Sequence, residues 1–86
     1  MKISIITVSY NSYNVIQHCL ESVKSQNNVD KEHVIIDGAS TDRTLSFLKA
    51  RREQIEILVS EPDKGIYDAM NKGINIATGD IIGFLN

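Results

Sequence analysis

The sequence predicts an α/β fold built on a parallel sheet, and three features of the chain carry that prediction. Four short runs rich in β-branched and apolar residues are spaced along it, the stretches between them repeat apolar residues at helical spacing, and the runs are apolar at consecutive positions. Strands that are apolar on both faces need helices covering both sides of the sheet, and the helical crossovers joining parallel strands are right-handed. The order β-α-β-α-β-α-β then implies the spatial order 3-2-1-4, a Rossmann-like three-layer half of a nucleotide-binding doubly wound fold.

The first strand is Ile3 to Ser9, which runs into the turn Tyr10-Asn11-Ser12. Asn11 or Ser12 can cap a first helix that buries Val15, Ile16, Cys19, Leu20 and Val23 and ends at Asn27-Asn28. His33 to Ile36 is the second strand and delivers Asp37 into the turn Gly38 to Asp42. Thr41 or Asp42 caps a second helix through Arg52, packed through Leu45 and Leu48 with Phe47 at its margin. The third strand is Ile55 to Val59, followed by the loop Ser60 to Gly65. From Ile66 a third helix buries Tyr67, Met70, Ile74 and Ala77 and stops at Gly79, and Asp80 opens the fourth strand, Ile81 to Leu85.

Bulk properties narrow the function. At 86 residues the chain is one small domain or part of one, and 42% hydrophobic with 23% charged residues is an ordinary globular composition. A net charge of -2 leaves no general basic footprint, which argues against nucleic acid as a partner. Cys19 is the single cysteine, so no internal disulfide forms and Cys/His zinc spacing is absent, which fits a reducing compartment. The apolar start is short, is broken by Ser4 and Thr7 and has no small-residue cleavage site, so a cytoplasmic location is expected.

In a sheet of this order ligands bind outside the carboxyl ends of the strands, where the strand order reverses, here between the first and fourth strands. Asp37 at a strand tip is expected to face that crevice and to accept hydrogen bonds from a ribose or a base edge. Ser40, Thr41 and Asp42 fit helix capping as well as ligand contact. Lys64, in the charged loop Glu61 to Gly65, either neutralises a diphosphate at the helix start or pairs with Asp63 in solvent. On the third helix Asp68 and Asn71 share a face, while Asp68 and Lys72 stand at the spacing of a surface ion pair. His18 and His33 are assigned to surface or structure. Gly-x-Gly-x-x-Gly and Walker patterns are absent, which argues against a dinucleotide enzyme or an ATPase.

Four stretches, "SIITVSYN", "VIIDGASTDRT", "SEPDKGIYDAMNKGI" and "ATGDIIGFLN", occur in this order over essentially the whole chain. Together they resemble the amino-terminal half of a family-2, inverting glycosyltransferase of the GT-A fold. The resemblance implies that Thr7, Ser9, Tyr10 and Asn11 line the base or ribose pocket, that Asp37 bonds the base, and that Ser40 and Asp42 belong to the same nucleotide site. It also implies nucleotide contacts for Asp63, Lys64, Asp68 and Asn71, with Asn86 at the start of the metal-binding motif. Family members often have Pro in the turn held here by Val8 and Ser9, and many carry an arginine where this chain has Met70.

The resemblance further implies transfer of a sugar from a nucleotide donor, a UDP-sugar, to a glycan or lipid-linked acceptor, assisted by Mg²⁺ or Mn²⁺ on the diphosphate. On that reading residues 1–86 are the nucleotide-sugar-binding part of a longer enzyme, cut before its metal-binding acids and general base, so that no catalytic or metal-binding residue falls within the chain. The longer enzyme would work in the cytoplasm or at the inner face of the membrane. An exposed fourth strand would then favour self-association. The competing reading is a non-enzymatic flavodoxin-like module that binds a ligand or partner, although Tyr10-Asn11 lacks the acids such receivers gather at the first strand tip.

Overall fold

The computed structural model describes residues 1–26 and 29–85. Four parallel strands, β1 (Ile3–Ser9), β2 (Lys31–Asp37), β3 (Ile57–Ser60) and β4 (Ile81–Phe84), form one sheet in the order β3-β2-β1-β4. Helices α1 (Tyr13–Lys24), α2 (Thr44–Ala50) and α3 (Ile66–Ile76) make the crossovers, and a 3-10 turn at Arg52–Gln54 follows α2. The fold class and strand order are those expected from the sequence.

Alternation along the two central strands builds two cores, one on each side of the sheet. Ile35 meets Ile16, Cys19, Leu20, Leu48 and Ile55 beneath α1 and α2, whereas Ile6, Val34 and Ile36 meet Ala69 of α3. Every residue of β2 from Glu32 to Asp37 is buried, as expected for a strand covered on both faces.

A buried acid joins the two ends of the chain to the middle. Glu32 accepts hydrogen bonds from Ser4 Oγ at 2.6 Å, Thr78 N at 2.7 Å and Thr78 Oγ1 at 2.8 Å, and Lys2 Nζ stands 3.8 Å away. Burial by itself would raise its carboxyl pKa, but the donors and Lys2 outweigh burial and hold it below the usual value.

The structure corrects several local expectations. Val15 is 61% exposed, because the buried stripe of α1 runs through Ile16, Cys19, Leu20 and Val23 and leaves Val15 on its flank. The expected α1 terminus at Asn27-Asn28 lies outside the described residues, and α1 itself ends at Lys24. β2 begins two residues earlier than expected, α2 stops at Ala50, and β3 begins at Ile57 with Ile55 buried before it.

The largest correction concerns α3, whose buried residues are Ala69 and Gly73, while Tyr67 is 79% and Ile74 42% exposed. A Cβ on Gly73 would lie 2.6 Å from Ile6 Cγ2, so the helix rests on β1 through its smallest side chains. Close approach, and not bulk, selects the buried face. Ala77 is already extended, which ends α3 at Ile76, three residues before Gly79.

Candidate functional site

The carboxyl ends of β1, β2 and β3 are tied together by one carboxylate. Asp37 is fully buried, and its Oδ1 accepts from Ser9 Oγ at 2.8 Å and from Ser40 Oγ, while its Oδ2 accepts from Ser40 N and Ser60 Oγ, both at 2.9 Å. Each oxygen therefore has two donors, which fills its lone pairs. The expectation that Asp37 faces the crevice is corrected: it is turned inward, and it positions the three serines. Ser60 was not foreseen, because a serine at a strand end gives no pattern until its partner is known.

A second tie joins the first two turns. Asn11 sits at φ 48°, and its Oδ1 accepts from Thr41 N at 2.8 Å and Asp42 N at 3.2 Å, while its amide nitrogen donates to Thr41 Oγ1 at 3.3 Å. Its backbone N–H donates to Ser40 Oγ at 2.9 Å, and Ser12 N donates to Thr44 Oγ1 at the same distance. Asn tolerates the left-handed backbone conformation that this turn requires. Asp42 accepts from Thr44 N at 2.9 Å just ahead of α2, whose N-cap is Arg43 and not Thr41 or Asp42 as expected, and hydrogen bonding from Thr44 holds its carboxyl below the usual range.

Thr7 is also displaced from the expected pocket. It is buried on the α1 side of the sheet, with its Oγ1 2.8 Å from His33 Nε2 and 3.3 Å from Cys19 Sγ. Burial pushes the His33 pKa down to about 4 and raises that of the Cys19 thiol. Both groups are therefore neutral near pH 7, as suits an interior network.

Across the sheet a cavity of about 390 Å³ opens between the tip of β1 and the start of α3, lined by Val8, Ser9, Tyr10, Asp63, Gly65, Ile66 and Ala69. Of the residues singled out from sequence, Ser9, Tyr10 and Asp63 reach it. Its apolar lining of Val8, Ile66 and Ala69 was missed, since apolar residues at a strand end and a helix start carry no chemical signature; the i, i+4 spacing of Gly65 and Ala69 was the available signal. Tyr10 is 60% exposed, so one face of its ring remains free at the rim.

The turn into α3 is shaped by its own acids. Gly65 adopts φ 117°, which favours glycine, and donates to Asp63 Oδ1 at 3.1 Å. Asp68, in the first turn of α3, reaches back to accept from Lys64 N at 2.8 Å. The expected Asp68 and Lys72 pair is present at 3.7 Å, and Lys72 lies closer still to Glu61, at 3.2 Å, and donates to Pro62 O. Lys64 is exposed and its ammonium makes no ion pair among the described residues, so the pairing with Asp63 is not formed. Asn71 is exposed further along α3 and does not line the cavity. Asn86 lies outside the described residues.

Among the described residues, no three His, Cys, Asp or Glu side chains are grouped to hold a metal ion. The tip acids agree with that, because Asp37, Asp42, Asp63 and Asp68 each have oxygens committed to loop donors. The described residues do not by themselves group into a metal site.

Comparison with known proteins places this rim in context. The family model "Glycosyl transferase family 2" matches residues 4–86. An uncharacterized glycosyltransferase of Mycobacterium tuberculosis is 40% identical over 85 residues, covering 98% of this chain and 32% of its own length. A PGL/p-HBAD biosynthesis glycosyltransferase of Mycobacterium bovis is 41% identical over 86 residues, covering 95% of this chain and 33% of its own length. This chain thus spans about a third of the length of these curated relatives. Among solved structures, a mannosyltransferase from Pyrobaculum calidifontis in complex with GDP-Man and Mn²⁺ superposes with a TM-score of 0.83 at 30% identity, covering 93% of this chain and 25% of that one. S. aureus TarS in complex with UDP-GlcNAc superposes with a TM-score of 0.88 at 28% identity, covering 99% of this chain and 26% of that one.

Proposed function

The chain belongs to glycosyl transferase family 2, and from that premise we propose that it forms the nucleotide-sugar-binding part of an enzyme that transfers a sugar, with inversion, to a glycan or lipid-linked acceptor. One observation carries the reading: the cavity opens at the carboxyl end of β1, beside the switch in strand order, with the aromatic ring of Tyr10 and the start of α3 among its lining. The solved relatives bound to GDP-Man and UDP-GlcNAc support a nucleotide sugar as the ligand.

The residues divide into those that touch the donor and those that hold the others in place. The exposed ring of Tyr10 offers a face on which a base can stack, above the apolar floor of Val8, Ile66 and Ala69. The ammonium of Lys64 and the first free amides of α3 meet the diphosphate and offset its charge. Asp37, Asn11 and Asp42 act behind them by fixing the turns, and Ser9 carries that support to the cavity wall. Asp63 shapes the Gly65 turn that aims α3 at the cavity.

A uridine diphosphate sugar is the proposed donor. In the intact enzyme Mg²⁺ or Mn²⁺ would neutralise charge on the departing diphosphate. We assign its carboxylates, and the general base that takes the acceptor proton, to a segment beyond the described residues. Calorimetric titration with UDP and with GDP, each with and without Mn²⁺, tests the donor. Saturable binding of UDP in preference to GDP is expected, and indifference between the two overturns the uridine assignment.

We further propose that β4 mediates self-association in the 86-residue chain. Its outer edge carries no strand, and Ile81, Ile82 and Phe84 are 45%, 39% and 44% exposed. Sedimentation velocity should show dimers or larger species growing with concentration. A monomer at every concentration contradicts the proposal.

A further inference from the structure

We propose that the face formed by Tyr13 and the segment Arg43 to Arg52 docks on an anionic lipid bilayer. The charge distribution is the first observation. Four of the chain's nine basic side chains, Arg43, Lys49, Arg51 and Arg52, fall in this ten-residue segment, and it contains no acid. None of the four forms an ion pair among the described residues, whereas Lys2 and Lys72 both do.

The second observation is that two of these cations are held in place. The Arg43 guanidinium lies 4.3 Å from the centroid of the Tyr13 ring, and that of Arg51 lies 4.0 Å from the centroid of Phe47. The two rings meet edge to face, with centroids 5.9 Å apart and planes at 89°. The result is a row, cation to ring to ring to cation, that bridges α1 and α2. A guanidinium held over a ring face can still offer N–H groups to phosphate oxygens, and part of its side-chain entropy is spent before any partner arrives.

Spacing and net charge select the partner. Arg43 and Arg51 stand at the two ends of α2, as the residues that flank it, and at the helical rise the stretch between them separates their backbones by about 12 Å. A single phosphate cannot span that separation, but an array of headgroups can. The overall charge of -2 opposes a polyanion that wraps the molecule, as a nucleic acid does, yet leaves one basic face free to meet an anionic plane. Position fits as well. α2 packs on the sheet face opposite α3, so a bilayer against α2 leaves the cavity beside α3 open. The proposal stands independently of nucleotide binding, since it uses none of the cavity residues.

Co-sedimentation with vesicles tests it, using phosphatidylcholine alone and phosphatidylcholine with about a third phosphatidylglycerol. The chain should partition onto the anionic vesicles only, and less as salt rises from about 0.05 to 0.5 M and screening tightens. Arg43→Gln and Arg51→Gln should each weaken partition about fivefold, the worth of one basic side chain at an anionic surface. Arg51→Lys should stay close to wild type, and Lys24→Gln, outside the row, should change nothing. Equal binding to neutral vesicles overturns the proposal, as does salt-independent binding of the wild type or a loss in Lys24→Gln as large as in Arg51→Gln. Displacement from the vesicles by a short DNA duplex would also overturn it and assign the face to nucleic acid. The salt series on the wild-type chain decides the matter even if a variant fails to fold.

Discussion

At the tips of β1, β2 and β3 the polar groups consume one another, whereas along α3 and β4 apolar side chains stand uncovered. In the first region Asp37 is filled by three serines and Asn11 is bound to Ser40, Thr41 and Asp42, so these groups offer little to a ligand. In the second, Ile66, Tyr67, Ile74, Ile82 and Phe84 are each at least 39% exposed. The cavity lies between the two and borrows from both, with a fixed polar wall on one side and an apolar floor on the other. Acids at strand tips are thus evidence of a rigid frame before they are evidence of ligand contact.

The contrast predicts where substitution hurts. Asp37→Ala should cost the most, about 4 kcal/mol, because it removes the buried acceptor that Ser9, Ser40 and Ser60 share and with it the tie between the ends of β1, β2 and β3. Chemical denaturation should show this as a fall in midpoint, and an unchanged midpoint would break the picture of a carboxylate-held frame.

Acid should act nearly as strongly through His33, which is buried near the start of β2, four residues before Asp37, against Thr7. Its folded pKa of about 4 is below the ordinary 6.5, so the unfolded chain binds the proton first. The stability from keeping it neutral is whole above pH 6.5 and falls as pH drops towards 4, by roughly 3 kcal/mol in all. His33→Gln should flatten that window of the pH-stability curve.

On the other side of the molecule Gly73→Ala should cost about 2 kcal/mol by pushing α3 off Ile6, with no comparable loss at Gly83, where a Cβ meets nothing within 4 Å. Thermal melts of the two variants make the comparison. The smallest expected effect is Lys64→Gln, which should weaken UDP binding about fivefold while leaving the melting temperature in place, as suits an exposed ammonium. A lowered melting temperature would move Lys64 from the site to the frame.

The sheet was legible because the apolar runs and their spacing depend on local periodicity, and periodicity is written in the chain. The buried face of α3 was not, because hydrophobicity favours Tyr67 and Ile74 while contact with Ile6 selects Ala69 and Gly73. The cavity was half legible. Tyr10 and Asp63 line it as residue type and position suggested, but Asp37 and Asn11 were assigned to ligand, whereas Asp37 bonds Ser40 three residues on as well as Ser9 and Ser60 on other strands, and Asn11 bonds Thr41 30 residues away. Ser40 was the local hint that Asp37 is turned inward, but the bonds of Asp37 to Ser9 and Ser60 arise only once the strands align.

The pairing of β1 has a kinetic consequence. One of its neighbours, β2, begins within about 28 positions of it, while the other, β4, is registered to it from 78 positions away, as Ile3 to Ile81. Loop closure over so long a separation comes late, so β1, β2 and the helix between them should condense first and β4 should dock onto a sheet already formed. In a cell the opening strand would therefore wait, one flank bare, while most of the domain is still being translated, and a chaperone that shields that flank would raise the yield of native protein.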